Sequence, residues 1–201
     1  MKTYRLVAVP CLAGLLSVQA RAVISTFDSG FDGWTQTSGV SWTNSGGNPG
    51  GFLRFQDTGP ADGGLIYAPA SFLGDWSTLY GSNGVFSVDY TLIRAGTLEP
   101  FPMFVRITGS GGQIARNFAG DFSTPFDWTT MSVSLTPGNW ALLSGTFAGA
   151  LSNVTEVRIS MSSASSSNEI TGVDNVSVVP EPATLASLAV VIGALGRRRQ
   201  S

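Results

Sequence analysis

The sequence contains no histidine and a single cysteine, Cys11. Without an imidazole there is no Ser-His-Asp triad, no His metal ligand and no His acid–base catalyst. Cys11 stands inside an N-terminal apolar run, so the rest of the chain has neither a thiol nucleophile nor a disulfide. Lysine is almost absent as well, Lys2 being the only one. No Gly-rich phosphate loop leads into a helix carrying a lysine. Charged residues make up only 12% of the chain. Between Val23 and Val179 five arginines (Arg54, Arg94, Arg106, Arg116 and Arg158) stand against twelve carboxylates, a net charge near −7. Such a surface repels phosphate backbones, which argues against nucleic acid as a partner. It suits solubility outside the cell, and it would suit Ca²⁺.

The two ends read as addresses. Lys2 and Arg5 precede an apolar run from Leu6 to Val18, and Ala20-Arg21-Ala22 offers a small-x-small cleavage pattern, with Val18-Gln19-Ala20 as a competing site. Residues 1–22 therefore read as a secretory signal peptide. A lipid anchor on Cys11 is the alternative, but Pro10 stands where a lipobox has Gly or Ala. At the other end Pro180-Glu181-Pro182 is followed by fourteen uncharged, mostly apolar residues and then by Arg197-Arg198-Arg199. As a helix that stretch spans ~21 Å, short of the ~30 Å hydrocarbon core. It can stall in a membrane with its arginines on the cytoplasmic side, and makes a poor permanent anchor. These residues resemble the PEP-CTERM sorting domain of Gram-negative bacteria. The resemblance implies processing by an exosortase and a link to exopolysaccharide and biofilm matrix. It assigns a route, with a transient inner-membrane stage, rather than a biochemical activity.

Residues 23–179 are rich in glycine and in short alternating runs. Phe86, Val88, Tyr90 and Leu92 alternate with Ser87, Asp89 and Thr91. The same period of two runs through Met103–Ile107, Met131–Leu135, Val157–Met161 and Val173–Val178. Shorter candidates are Phe52–Gln56, Gly64–Ala68 and Gln113–Phe118, and Thr146–Leu151 reads as one helical turn. Turn-rich segments separate them, among them 44–51 and 57–64. Eight or so strands without a repeat predict an all-β, two-sheet jelly roll. Tyr67-Ala68-Pro69, Phe72-Leu73-Gly74-Asp75 and Tyr80-Gly81, with Leu151 to Ile159 and Val173-Asp174-Asn175-Val176, resemble the laminin B (laminin IV type A) domain. Leu79 departs from that pattern, which usually has a small polar residue there. The resemblance implies a galactose-binding-like sandwich serving as an adhesive or matrix module without catalysis.

Three kinds of site remain open. Asp and Glu alone suffice for glycoside hydrolysis; the candidates are Asp75, Asp89, Glu99, Asp121, Asp127, Glu156 and Glu169, and their spacing selects no pair. Of the five tryptophans, Trp34, Trp42, Trp76, Trp128 and Trp140, Trp34 and Trp140 read as core, and Trp42 and Trp76, beside polar Gly-rich turns, are the candidates for stacking on a sugar. Asp28, Asp32 and Asp174 would meet if the first and last strands lie side by side, a possible Ca²⁺ site. Asp28 and Asp32 equally suit a plain turn. The sequons Asn153-Val154-Thr155 and Asn175-Val176-Ser177 arise easily by chance in a Ser/Thr-rich chain. The expected function is an exported binding or structural module of the envelope or extracellular matrix, with a surface glycan or exopolysaccharide as partner. The alternatives are a carbohydrate-active enzyme with paired carboxylates and a coat protein without a small ligand.

Overall fold

Alternation along the chain becomes two layers in space. The computed structural model describes residues 22–59, 63–96, 102–163 and 168–180. Its strands are β1 (Val23–Ser25), β2 (Thr35–Gln36), β3 (Val40–Gly47), β4 (Gly50–Gln56), β5 (Leu65–Tyr67), β6 (Val85–Arg94), β7 (Phe104–Gly109), β8 (Gly112–Asn117), β9 (Phe126–Ser134), β10 (Ala141–Gly145), β11 (Val154–Ser160) and β12 (Ile170–Val179). Sheet A has the order β3-β4-β12-β6-β9, and sheet B the order β10-β8-β7-β11-β5-β2. All pairings are antiparallel. This is the expected two-sheet jelly roll.

The inward positions of both sheets make one core. Phe86, Val88 and Tyr90 of β6 and Val173, Val176 and Val178 of β12 pack with Val105 and Ile107 of β7, Ile114 of β8, and Val157 and Ile159 of β11, all fully buried. Each such side chain stabilises by roughly 1.5–3 kcal/mol relative to exposure. The Tyr90 hydroxyl crosses to sheet B and donates to the Met161 carbonyl at 2.9 Å.

The first and last strands do lie side by side. One edge of β12 is shared: Ile170 to Val173 pair with β4, and Val176 to Val178 pair with β1. Its other edge pairs with β6 through Val179↔Val85. The two blocks of residues that resemble laminin B meet in space. Gly74 and Val154 exchange backbone hydrogen bonds at 2.9 and 2.6 Å, and the Trp76 N–H reaches the Leu151 carbonyl at 2.8 Å. The departing residue, Leu79, is buried in the core.

The eight expected strands are all present. β1, β2, β3 and β10 were not anticipated, and the turn placed at 44–51 is in fact the end of β3, a tight connection at Asn48-Pro49, and the start of β4. β3 reads VSWTNSGG and β10 is exposed at all five positions, so neither shows an alternating apolar face. The helical turn at 146–151 is a short helix, Phe147–Ser152, capped by the Thr146 hydroxyl, which accepts from the Gly149 N–H at 2.9 Å. A second short helix, Ser77–Gly81, was not foreseen. The expected leader with Cys11, and Glu181, Pro182, Arg197, Arg198 and Arg199 with the apolar stretch between them, lie outside the described residues apart from Ala22. No helix among the described residues is long and apolar enough to cross a membrane.

Gly172 lets the outer face of sheet A close. Trp128 of β9 reaches across β6 to this point, where a Cβ on Gly172 would lie 2.8 Å from its ring, 2.7 Å from Thr91 and 3.0 Å from Phe52. Trp128 meets Phe52 edge-on at 5.3 Å, and its indole N–H donates to the Gly46 carbonyl at 2.9 Å. Gly172→Val should therefore cost about 1–3 kcal/mol by overpacking. Urea unfolding checks this, and a variant as stable as the natural chain would show that Trp128 does not pack there.

Candidate functional site

The hairpin tip between β3 and β4 and the middle of β12 hold the densest polar cluster. Asp174 of β12 and Asp89 of β6 face each other in register, 0% and 6% exposed. The Asp174 carboxylate accepts the Asn48 N–H at 2.6 Å and the Asn175 N–H at 2.7 Å. Asp89 accepts the side-chain amides of Asn48 at 3.0 Å and Asn175 at 2.8 Å, and the Thr130 hydroxyl at 2.6 Å. The Asn175 amide also donates to the Asn48 carbonyl. Asp28 comes in beside Gly50, whose left-handed φ of +87° only glycine holds easily and whose Cβ would lie 2.0 Å from the Asp28 carboxylate. Burial pushes the Asp174 carboxyl up from 3.8 to about 6, and the charges of Asp89 and Asp28 push the same way against the hydrogen bonds from Asn48 and Asn175.

This cluster bears on two expectations. Asp28 and Asp174 do approach each other, but Asp32 is spent elsewhere, accepting the Phe27 N–H at 2.9 Å. The expected trio does not converge, and among the described residues no group of three or more His, Cys, Asp or Glu is arranged to hold a metal ion. Asp89 and Asp174 are a pair of facing carboxylates that spacing could not select, because their pairing depends on the β6–β12 register. Both are sunk in hydrogen bonds, so neither offers a free oxygen to a substrate.

The other carboxylates are scattered. Asp75 and Asp121 are exposed turn residues, held below the ordinary carboxylate range by hydrogen bonds from Ser77 and from Ser123. Glu169 is buried and accepts the Ser163 N–H at 2.9 and 3.0 Å and the Ser163 hydroxyl at 3.0 Å. Its carboxyl is raised by burial, against those hydrogen bonds. Asp127 lies on β9 and Glu156 on β11, in different sheets. Glu99 lies outside the described residues.

The two tryptophans expected to stack on a sugar also turn inward. Trp34 and Trp140 are core, as expected. Trp76 is 4% exposed and donates to the Phe72 carbonyl at 3.0 Å, so it has no face for a sugar. Trp42 is half-buried against the core and donates to the Phe27 carbonyl at 2.6 Å. Proximity to a Gly-rich turn was a poor guide to exposure, because each indole found a carbonyl and an apolar neighbour.

The outward face of sheet B is different. Tyr67 of β5, Arg158 of β11, Arg106 of β7 and Ala115 of β8 stand in register as one row across four strands. Phe104 lies two residues from Arg106 on the same face, and the Arg106 and Arg158 guanidiniums sit 5.9 and 5.8 Å from its ring centroid. All four of Tyr67, Phe104, Arg106 and Arg158 are half-buried. A groove of about 430 Å³ lined by Arg116, Asn117, Asn139 and Trp140 continues the face beyond Ala115. The alternation that revealed β7 and β11 also put an arginine in the outward phase of each, and that was the signal available for this face.

A model of the laminin B (domain IV) family matches residues 66–184, and one of the PEP-CTERM protein-sorting motif matches residues 178–200. No curated protein matches the chain significantly in sequence. Among solved structures the chain is similar to part of an agarase, at 15% identity and TM-score 0.52, over 79% of this chain and 26% of that one. It is similar to a family 11 carbohydrate-binding module from Clostridium thermocellum, in complex with a β-1,3-1,4-mixed-linked tetrasaccharide, at 15% identity and TM-score 0.48, over 79% and 95% of the two chains. It is also similar to the L4b domain of human laminin alpha-2, at 14% identity and TM-score 0.46, over 58% and 70%. The agarase likeness shows a shared sandwich fold.

The Asp174 cluster has a pH signature. A carboxyl raised in the folded state binds its proton more tightly there than in the unfolded chain, so its contribution is complete below the unfolded value of 3.8 and is lost as pH rises through about 6. Glu169 acts in the same direction. The denaturant midpoint should be higher at about pH 5 than at about pH 7.5, and Asp174→Asn should flatten that difference. A profile as steep in the variant would place the titration elsewhere.

Proposed function

The chain belongs to the laminin B (domain IV) family, and on that premise we propose that it is an exported, non-catalytic module that binds glycan at the cell envelope. The observation that carries the reading is the outward face of sheet B, where Tyr67 and two guanidiniums stand in register beside the Phe104 ring. Sugar recognition uses this combination of flat apolar rings and a few oriented polar groups. The PEP-CTERM motif supplies the address: export, a transient inner-membrane stage, removal of the tail by an exosortase, and delivery to the surface or matrix of a Gram-negative bacterium. Exopolysaccharide is the partner such an address brings within reach.

The enzyme alternative is disfavoured by chemistry. The facing carboxylates Asp89 and Asp174 are buried and fully hydrogen-bonded, and histidine is absent. A coat protein without ligand gives no reason for two directly opposed arginines, neither of them ion-paired among the described residues, on the outward face of a sheet.

Two measurements test the reading. A glycan array should show binding, while a reducing-sugar assay on the bound glycans shows no turnover; an empty array would remove the reading, and released sugar would restore the enzyme. Mass spectrometry of envelope and medium should find mature protein lacking Arg197, Arg198 and Arg199, and Glu181→Ala should strand the uncut chain in the inner membrane. A natural protein that keeps its arginine tail would contradict processing.

A further inference from the structure

Charge is segregated between the two sheets. The strands of sheet A carry Asp89, Asp127 and Asp174 with two arginines, whereas those of sheet B carry Arg106, Arg116 and Arg158 with Glu156 as their one carboxylate. In a domain with a net charge near −7, three of five arginines are thus gathered on one layer.

Two of those three are directly opposed. Arg158 and Arg106 are cross-strand partners of β11 and β7. Their Cβ atoms are then roughly 4.5–5.5 Å apart, and like charges so placed repel. Contact with the Phe104 ring offsets part of the repulsion, but no ion pair does so among the described residues. Arg54 donates to Gln56, Arg94 to the Asn168 carbonyl and Arg116 to the Asn139 carbonyl. Arg106 and Arg158 make no hydrogen bond or ion pair with any described residue, and the Nε atoms of both are buried without a partner. Glu156, one step along the same face, does not reach either of them. A buried unpaired donor destabilises the free protein, and an anion between the two guanidiniums would relieve their repulsion.

The surroundings narrow the anion. Both guanidiniums lie near the Phe104 ring, Tyr67 flanks Arg158 in the row with Thr35 of β2 beyond it, and the small Ala115 flanks Arg106 on the other side. The row spans about 14 Å at the usual strand spacing. Planar forks take carboxylate or sulfate oxygens two at a time, and the flanking rings suit the apolar face of a pyranose. From this we infer that Arg106 and Arg158 form the acid-recognising centre of the sheet B face, and that its ligand is an anionic polysaccharide built from uronic acid or sulfated sugar units. The assignment rests on the glycan-binding reading above and narrows it to a charge class.

The test uses the full chain, polygalacturonate, and the methyl ester of the same polymer, which keeps the sugar and removes the charge. Affinity for the acid should exceed that for the ester by about ten-fold or more, the loss expected when charged hydrogen bonds go. R106Q/R158Q should lose a similar factor for the acid, R106K/R158K should retain part of it, and R54Q, on the other sheet, should be unchanged. The R106Q/R158Q variant should melt no lower than the natural chain, since it removes a repulsion; if it melts lower, R106K/R158K decides the matter by the ratio of acid to ester. Equal affinity for acid and ester, or unchanged binding by R106Q/R158Q, overturns the inference and leaves the glycan reading standing. RNA bound as tightly as polygalacturonate also overturns it, as a general polyanion site. Failure to bind any glycan, neutral or acidic, takes both.

Discussion

The fold depends on how β12 shares one of its edges. The strand pairs along its full length with β6 on one side, but on the other it gives its first half to β4 and its second half to β1. At the changeover a residue is inserted, so that Asp174 and Ser177 oppose Asp89 and Ser87. Asn175 takes the left-handed φ of +47° that the bulge requires. The carboxylates of Asp89 and Asp174 and the amides of Asn48 and Asn175 then fill the gap left in the ladder. Each buried acceptor there has a donor, which is why a cluster of acids is tolerable inside the sheet. The raised Asp174 carboxyl marks what remains of that cost.

That knot also decides which face of the sandwich is available. By fastening the β3–β4 tip over β12 and β6, it brings Gly46 within reach of the Trp128 indole, and Phe52 under its ring. The middle of the outer face of sheet A, around Gly172, is thereby occupied by the protein's own residues. On sheet B the outward positions Tyr67, Phe104, Arg106 and Arg158 are half-buried, and no ring among the described residues lies across them as Trp128 lies across Gly172. The proposed function therefore falls to the sheet whose polar groups are left over after folding.

What the sequence made legible follows from the same division. Strands buried on one face showed their period, and β4, β5, β6, β7, β8, β9, β11 and β12 were all anticipated. β3 and β10 are sheet edges with polar or exposed positions, where nothing selects for alternation, and β1 and β2 are too short to have a period. The nearness of Asp28 to Asp174 was legible because it needs only adjacent first and last strands. The Asp89–Asp174 and Arg106–Arg158 pairs were not, since each depends on a register between strands distant in sequence, and the first also on a bulge. Trp76 was misplaced for a related reason. Its neighbours in sequence are polar, but its burial is set by Phe72, Leu79 and the backbone of Leu151.

The position of β12 ties folding to delivery. It is the last strand and also an interior one, supplying Val173, Val176 and Val178 to the core and binding β1, β4 and β6. β1, the first strand to cross a membrane on the proposed route, has no partner until residues 176–178 follow it. Pairings of such sequence separation form late and slowly, because the loop entropy is lost before any contact repays it. Val179, the last paired residue, immediately precedes Pro180, whose missing N–H ends the ladder. On the proposed route sheet A would therefore close only once the chain has cleared the membrane to the edge of the sorting motif. Folding and presentation of Pro180-Glu181-Pro182 to a processing enzyme then become events of the same moment, with no linker of chain between them.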